Sequence, residues 1–122
     1  MHVLKLRSDF LRAAQARRQG TGGFLLQARE RGDGSDLVRI GFTASKKVGN
    51  SVMRNLARRR MRELAREILV RDGKPGWDYV MVARPGATVV RDFAELKNDL
   101  AFAIRRVHTP KEPAAKEGAV KP

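Results

Sequence analysis

The chain has 122 residues, of which 42% are hydrophobic, and a formal net charge of +13. This length fits one domain with one core, and the lack of cysteine excludes disulfides, thiolate-bound metals and a cysteine nucleophile. No window approaches the roughly 18 consecutive apolar residues of a membrane span, and MHVLKLRSDF at the start has too short an apolar run for a secretory signal. We therefore expect a cytoplasmic protein without membrane contact, and the charge predicts a polyanionic partner.

The positive charge is concentrated in two segments. Residues 1–31 hold seven Lys and Arg against two acidic residues, and residues 46–66 hold eight against Glu63 alone. Evenly spread charge would only keep a protein soluble. Clustering in two segments instead favours a binding surface.

The first half of the chain predicts a helix followed by two strands. Residues 9–18 have apolar side chains at helical spacing, and the glycines of GTGG (20–23) end the helix. FLLQAR (24–29) is typical of a strand, as is LVRIGFTAS (37–45), where apolar and polar residues alternate with the period of a sheet. RGDGSD (31–36) has the composition of a turn, so we expect these two strands to form an antiparallel pair.

The second half predicts a basic helix, a buried strand and a final helix. DGKPGW (72–77) breaks the chain after the basic helix, and YVMVA (79–83) is continuously apolar, as expected of a strand buried on both faces. Asp92 with Glu95 three residues later is typical of a capping box, and the amphipathic helix that follows extends to Val107.

The end of the chain has a different composition. From Thr109, TPKEPAAKEGAVKP shows no apolar periodicity, and such a segment cannot bury enough apolar surface to offset the entropy cost of ordering. We expect one folded domain over residues 1–108 and a disordered tail over residues 109–122.

The basic helix, residues 52–69, has two faces of different character. At about 100° per residue, one arc carries Met53, Leu56, Ala57, Met61, Leu64 and Ile68. The opposite arc carries Arg54, Asn55, Arg58, Arg59, Arg62 and Arg66. Arg60 projects on the apolar side and has to extend its guanidinium outward. Because arginines follow one another at i,i+4 spacing, the row repels itself unless an anion neutralises it, and arginine suits a bidentate grip on phosphate.

The turn before this helix adds to the same surface. In SKKVGN (45–50), Lys46 and Lys47 follow a strand, and Gly49 and Asn50 allow backbone amides to approach a phosphate at the helix start. GFTASKK lacks the second glycine of a Walker loop, which argues against nucleotide binding.

These motifs resemble the signature of the bacterial ribonuclease P protein subunit. In that family a strand is followed by SKK, a hydrophobic residue, glycine and an arginine-rich helix, as in GFTASKKVGNSVMRNLARRRMREL (41–64). The positions in register are Ser45, Lys46, Lys47, Gly49, Asn50, Val52, Arg54, Asn55, Arg58, Arg59, Arg62 and Glu63. SDFLRAA, FLLQAR and YVMVARPGA resemble the family's first helix, first strand and later strand, so the resemblance spans residues 5–107.

The resemblance implies an α+β fold, a single-domain two-layer α/β sandwich. Its element order would be αβββαβα, with a left-handed βαβ crossover that departs from the usual right-handed rule. Patterns in the residues give only three strands, and we expect the missing one to be a short strand near the predicted turn.

The resemblance also implies two RNA-binding surfaces. The surface for the catalytic RNA subunit would comprise Lys46, Lys47, Asn50, Arg54, Asn55, Arg58, Arg59 and Arg62. The cleft for the single-stranded 5′ leader of precursor tRNA would comprise Phe10, Arg12, Ala14, Arg17 and Gln27. Further contributors on that side are Lys5, Arg18, Phe24 and Arg29.

The sequence departs from the family pattern at three positions. Leu56 stands where the family has the third member of an Arg-Asn-Arg triplet, and Arg58, Arg59 and Arg60 are candidates to compensate. Ala14 and Gln27 stand where the family has aromatic residues of the leader cleft. The resemblance therefore predicts weaker stacking on leader bases, a contribution of roughly 1–3 kcal/mol per base.

No protein active site is predicted, and no residue is expected to bind a metal. His2 and His108 have no ligand spacing around them and are interpreted as ordinary surface or loop residues, and no serine has a motif with a paired base. By the resemblance, the RNA subunit hydrolyses the phosphodiester through bound Mg²⁺ at the mature 5′ end. The protein would neutralise RNA charge and hold the leader, with no obligate protein partner.

Two other classes of protein are open alternatives. A ribosomal or RNA-chaperone protein would have similar charge and a similar small sandwich but would not promote leader cleavage. A DNA-binding module with residues 52–69 as recognition helix is disfavoured, because no preceding helix would pack as a helix-turn-helix requires. Neither alternative predicts the SKKVGN turn.

Overall fold

The computed structural model describes residues 1–109 as one α+β domain. The strands are β1 (His2–Val3), β2 (Arg17–Gly20), β3 (Phe24–Glu30), β4 (Arg39–Thr43) and β5 (Trp77–Ala83). The helices are α1 (Arg7–Ala14), α2 (Ser51–Leu64), α3 (Val70–Asp72) and α4 (Phe93–His108). A 3₁₀ turn (Lys46–Val48) precedes α2, and a π-helical segment (Ala65–Leu69) joins α2 to α3. Among these residues, no helix combines the length and apolar character needed to cross a membrane.

The five strands form one sheet in the order β1-β4-β5-β3-β2. β5 is antiparallel to β3 and parallel to β4, so β4, α2 and β5 form a βαβ unit. The predicted antiparallel pairing of β3 with β4 is wrong, because β5 lies between them. The continuously apolar strand takes the centre of the sheet, where both of its faces are covered, as its sequence predicts.

The α/β sandwich is confirmed. α2, the π-helical segment and α4 cover one face of the sheet, and their apolar side chains pack on Leu26, Ile40, Tyr79 and Met81. The shorter α1 covers part of the opposite face, where Ala13 and Phe10 pack with Leu4 and Val80. This second face, which we call the α1 face, is therefore only partly covered by protein.

The first helix is shorter than predicted. It ends at Ala14, and the last two residues predicted for it, Arg17 and Arg18, instead begin the edge strand β2, which pairs antiparallel with β3. Thr21 closes this hairpin, since its hydroxyl donates to the Phe24 carbonyl at 2.8 Å and accepts from the Gly23 and Phe24 amides. Within residues 1–109, the additional strands are β1 and β2, and the expected short strand near residues 31–36 does not form.

The final helix begins where predicted, directly after Asp92, but the capping box does not form. The Asp92 side chain makes no capping hydrogen bond, and Glu95 instead forms an ion pair with Arg91 at 3.7 Å. Arg91 also donates to Asp99 at 2.7 Å. The arginine that precedes the helix thus engages the carboxylate that would complete the box. The predicted tail lies outside the described residues except for Thr109.

Candidate nucleic-acid interface

The SKKVGN segment forms a tight turn between β4 and α2. The Ser45 hydroxyl accepts from the Lys47 amide at 3.3 Å. Gly49 has a φ of 143°, a conformation that side chains disfavour, and a Cβ there would lie 3.0 Å from the Met53 Cβ. The Asn50 side-chain oxygen caps α2 by accepting from the Met53 amide at 3.0 Å. Asn50 therefore keeps its side-chain NH₂ as a donor for the predicted RNA contact.

The arginines of α2 are held by contacts that leave their charge uncompensated. Arg54 donates to the Gly49 carbonyl at 3.2 Å, and Arg58 donates to the Asn55 side-chain oxygen at 3.2 Å. The Arg62 guanidinium lies over the Phe42 ring, 5.4 Å from its centroid. Arg54, Arg58 and Arg62 are half-buried while Asn55 and Arg59 are exposed, so the row predicted by helical spacing lies on one accessible side of α2.

Six cations on this side have no acidic partner among residues 1–109. They are Lys46, Lys47, Arg54, Arg58, Arg59 and Arg62, and we call this set with Asn50 and Asn55 the α2 basic face. Arg66, one turn further along, does have a partner, since it forms an ion pair with Glu63 at 3.0 Å. Like charges one helical turn apart repel, so an anion that neutralises them would be stabilised here.

Arg60 does not belong to the α2 basic face. It projects from the apolar side, as predicted, and donates to the backbone carbonyls of Val89 at 2.8 Å and Arg91 at 2.7 Å. Its guanidinium also lies 5.8 Å from the centroid of the Phe93 ring. These contacts attach the loop before α4 to α2, so Arg60 is not free to compensate for Leu56.

Several residues predicted for the leader cleft meet on the α1 face. Phe10 packs so closely on β4 that a Cβ at Gly41 would lie 2.5 Å from its ring. Gln27 pairs with Val80 of β5 and lies opposite Arg18 of β2. Only 8% of Gln27 is exposed. Ala14 is half-buried on α1.

Arg12 and Lys5 lie at the margin of the α1 face. Arg12 is exposed and forms an ion pair with Asp9 at 3.3 Å. Lys5 is exposed just ahead of α1. Both positive charges are therefore accessible to an anion that approaches α1.

Two residues predicted for the cleft lie on the other side of the sheet. Phe24 is fully buried in the core under the long helices. Arg17 pairs with Ala28, which places its side chain on that same side, where it donates to the Val107 carbonyl at 2.8 Å and lies over the Trp77 ring. The structure therefore does not bring Phe24 and Arg17 together with Phe10. For Arg17 the reason is that it lies on β2 and not in a continuation of α1.

The structure brings together an ion cluster that the sequence analysis missed. Asp78, which is fully buried on β5, accepts from Arg31 at 2.8 Å and from two nitrogens of Arg39 at 2.8 Å each. Arg29 lies 3.8 Å from the same carboxylate. The hydrogen bond with Asp78 raises the pKa of Arg39. The signal in the sequence was an aspartate at the second position of the otherwise apolar strand WDYVMVA.

The two histidines have different surroundings. His2 is exposed on β1, as predicted. His108 is half-buried at the end of α4, where Nε2 lies 2.5 Å from the Tyr79 hydroxyl and the ring packs edge-on against Trp77, so its interpretation as an ordinary surface residue is wrong. Burial lowers the pKa of His108 to about 4. Among the described residues, no three histidine or carboxylate side chains are grouped closely enough to hold a metal ion.

Comparisons with known proteins agree with the fold. A family model described as Ribonuclease P matches residues 1–108. The ribonuclease P protein component of Ruegeria pomeroyi is 56% identical over 110 residues, covering 89% of this chain and 88% of the relative. That of Caulobacter vibrioides is 46% identical over 101 residues, covering 83% of this chain and 67% of the relative. The solved RNase P protein from Thermotoga maritima has a TM-score of 0.73 at 25% identity, covering 89% of this chain and 100% of that one. The chain belongs to the ribonuclease P protein family.

Proposed function

We propose that this protein is the protein subunit of ribonuclease P and binds the catalytic RNA through the α2 basic face. The observation that carries the proposal is the row of six cations on α2 and its preceding turn that have no acidic partner within residues 1–109. Neutralisation by RNA phosphates relieves their mutual repulsion and releases counterions from the RNA. Arginine forks also bind phosphate oxygens in pairs. This contact would have a steep salt dependence.

The α1 face would hold the single-stranded 5′ leader of precursor tRNA. Phe10 offers an aromatic ring to an unpaired base, and Arg12, Arg18 and Arg29 offer positive charge around it. The two proposed surfaces lie on different sides of the molecule, since α2 and α1 pack on opposite faces of the sheet. The protein could therefore contact the RNA subunit and the leader at the same time.

The reaction would be endonucleolytic removal of the leader in the cytoplasm. Mg²⁺ would be bound mainly by the RNA subunit and would activate water and stabilise the leaving oxygen. The protein's own residues would neutralise RNA charge, which lowers the Mg²⁺ needed, and would retain the leader, which separates precursor from product. In this proposal ribonuclease P RNA and precursor tRNA are sufficient partners, without an obligate second protein.

Cleavage of a precursor tRNA by a bacterial ribonuclease P RNA tests the proposal directly. At a few millimolar Mg²⁺, adding the protein should enable cutting at the mature 5′ end, and Arg54→Ala combined with Arg58→Ala should abolish this gain. The matched control is Arg71→Ala combined with Lys74→Ala, which removes the same charge from exposed positions beyond α2. RNA binding without improved cleavage would instead assign the protein to the ribosomal or RNA-chaperone class.

The leader contact has its own test, because Ala14 and Gln27 offer no aromatic ring. We expect affinity for precursor tRNA to rise with leader length, but less than an aromatic cleft would allow. If the new ring stacks on a leader base, Gln27→Tyr should increase the binding free energy contributed by the leader by roughly 1–3 kcal/mol. The measurement is the affinity of the wild type and the variant for precursor tRNAs with leaders of increasing length. If affinity rises with leader length equally in both proteins, the stacking argument is contradicted.

A further inference from the structure

We propose that Asp78 is a positioning residue that holds Arg29 and Arg39 on the α1 face as a phosphate contact for the leader. This inference rests on the proposed function of the α1 face and names a residue that would act there without touching RNA. Its starting point is one buried carboxylate that three arginine side chains share.

The Asp78 carboxylate is shared among three guanidinium groups. Its Oδ1 accepts from Arg31 Nη1 and Arg39 Nε at 2.8 Å each, and its Oδ2 accepts from Arg39 Nη2 at 2.8 Å. Arg29 Nη1 lies 3.8 Å from Oδ2. Two of these arginines have a second acidic partner, since Arg31 pairs with Asp33 at 3.0 Å and Arg39 lies 3.6 Å from Asp9. Among the described residues, Arg29 has Asp78 as its one acidic partner.

The three arginines differ in what they expose. The Arg31 side chain is 3% exposed, and it also donates to the Leu37 carbonyl at 2.7 Å, so its role is to hold the loop between β3 and β4. Arg29 and Arg39 are 26% and 29% exposed. Each of these two side chains is therefore partly open to solvent while its guanidinium lies at Asp78.

The position of this pair adjoins the proposed leader cleft. Arg29 and Gln27 lie two residues apart on β3, so they point to the same face with about 7 Å between them. Arg39 contacts Asp9 on α1, one residue before Phe10. An RNA strand that lies against Phe10 and Gln27 would bring its backbone past Arg29 and Arg39.

Restraint by Asp78 would favour binding because the guanidinium groups need no further ordering when a phosphate arrives. Without the carboxylate, Arg39 would lose its two hydrogen bonds to Asp78 and could turn away from the cleft. A purely structural role predicts something different, since loss of packing would weaken folding and every RNA contact without regard to the leader.

The test measures the ratio of holoenzyme affinities for precursor tRNA with a long leader and with a one-nucleotide leader. Asp78→Asn keeps the shape of the side chain and removes its charge. We expect the ratio to fall about tenfold, the size of one lost charge-assisted hydrogen bond, while binding to the RNA subunit is retained. The control Arg71→Gln breaks an exposed ion pair with Asp72 and should leave the ratio unchanged.

Each outcome decides the inference. A folded Asp78→Asn protein with the wild-type ratio would overturn it. If this variant does not fold, Arg39→Gln, at a partly exposed side chain, replaces it, and retention of the wild-type ratio would again overturn the inference. If the affinity of the wild-type holoenzyme does not depend on leader length, the proposed function of the α1 face is contradicted, and this inference fails with it.

Discussion

The Tyr79 hydroxyl lies 2.5 Å from His108 Nε2 and links the central strand β5 to the end of α4. The Lys74 amide donates to the same hydroxyl at 2.8 Å, so the hydroxyl's own hydrogen can point to the imidazole. Burial raises the pKa of Tyr79 to about 12, which keeps this donor protonated. Burial, with the positive charges of Lys74 and Arg17, lowers the pKa of His108 to about 4. The folded protein therefore holds His108 neutral.

This contact predicts that stability falls in acid. The pKa of His108 is lowered from 6.5 to about 4 by folding, so the unfolded chain binds a proton there that the folded chain does not. The stabilisation is present above the unfolded pKa and is lost as pH falls through the folded one. Allowing for solvent screening at this half-buried site, we expect the free energy of unfolding to drop by about 1–2 kcal/mol from neutral pH to about pH 4.5.

Chemical denaturation at the two pH values measures this drop. His108→Phe keeps an aromatic ring against Trp77 but removes the titrating group, so its stability should depend less on pH than that of the wild type. His2→Ala removes the exposed histidine of β1 and should behave like the wild type. An identical pH dependence in all three proteins would contradict the assignment.

Arg59 and Arg60 are neighbours in the sequence with opposite predicted roles. Arg60 donates to two loop carbonyls, so Arg60→Ala should lower the free energy of unfolding by about 1.5–3 kcal/mol and leave affinity for the RNA subunit nearly unchanged. Arg59 is exposed on the α2 basic face, so Arg59→Ala should weaken RNA binding and leave stability unchanged. Melting curves and RNA titrations of the two variants check this difference in roles. A loss of RNA affinity in Arg60→Ala without a loss of stability would contradict it.

Elements with a local signal could be predicted from the sequence. α2, α4, β3 and β5 each have an apolar pattern within their own residues, because the positions that face the core are apolar and recur with the period of the element. β2 has none, since Arg17–Gly20 carries no apolar side chain and becomes a strand only by pairing with β3. The place of β5 between β3 and β4 likewise depends on contacts between segments far apart in the chain.

The same distinction applies to the candidate sites. The α2 basic face was predictable because its arginines lie on one helix, where spacing alone determines the face. The ion cluster at Asp78 was not, because Arg39 and Arg31 lie 39 and 47 residues from it in sequence. Arg17 was predicted on the α1 face because α1 was expected to extend to residue 18. Since Arg17 belongs to β2 instead, its side chain lies on the other side of the sheet.

Leu56 replaces a family arginine, and its position in α2 predicts that an arginine would be tolerated. Leu56 is half-buried, whereas the next residue, Ala57, is fully buried in the core. Leu56→Arg should keep the melting temperature close to that of the wild type and hold or tighten RNA binding. Ala57→Arg is the contrasting variant and should prevent folding, because it places an unpaired charge in the core. A Leu56→Arg protein as unstable as Ala57→Arg would show that Leu56 is a core residue.

Gly41 allows Phe10 to lie directly on β4, and this close approach predicts a specific effect of a single methyl group. A Cβ at Gly41 would lie 2.5 and 2.6 Å from two carbons of the Phe10 ring and 3.2 Å from the Leu4 Cβ, so Gly41→Ala must displace the ring. We expect a loss of about 1–3 kcal/mol in the free energy of unfolding, as is usual for overpacking. Since Phe10 belongs to the proposed leader cleft, the dependence of affinity on leader length should weaken as well.

A double-mutant cycle separates this clash from a general effect of alanine in a strand. Phe10→Leu removes the ring that the new methyl group would meet, so Gly41→Ala should cost clearly less stability in the Phe10→Leu background than in the wild type. Gly20→Ala on β2 is the matched control, because no atom lies within 4 Å of a Cβ placed there, and its stability should stay close to that of the wild type. Strict additivity of Gly41→Ala and Phe10→Leu in chemical denaturation would contradict the packing of Phe10 on Gly41.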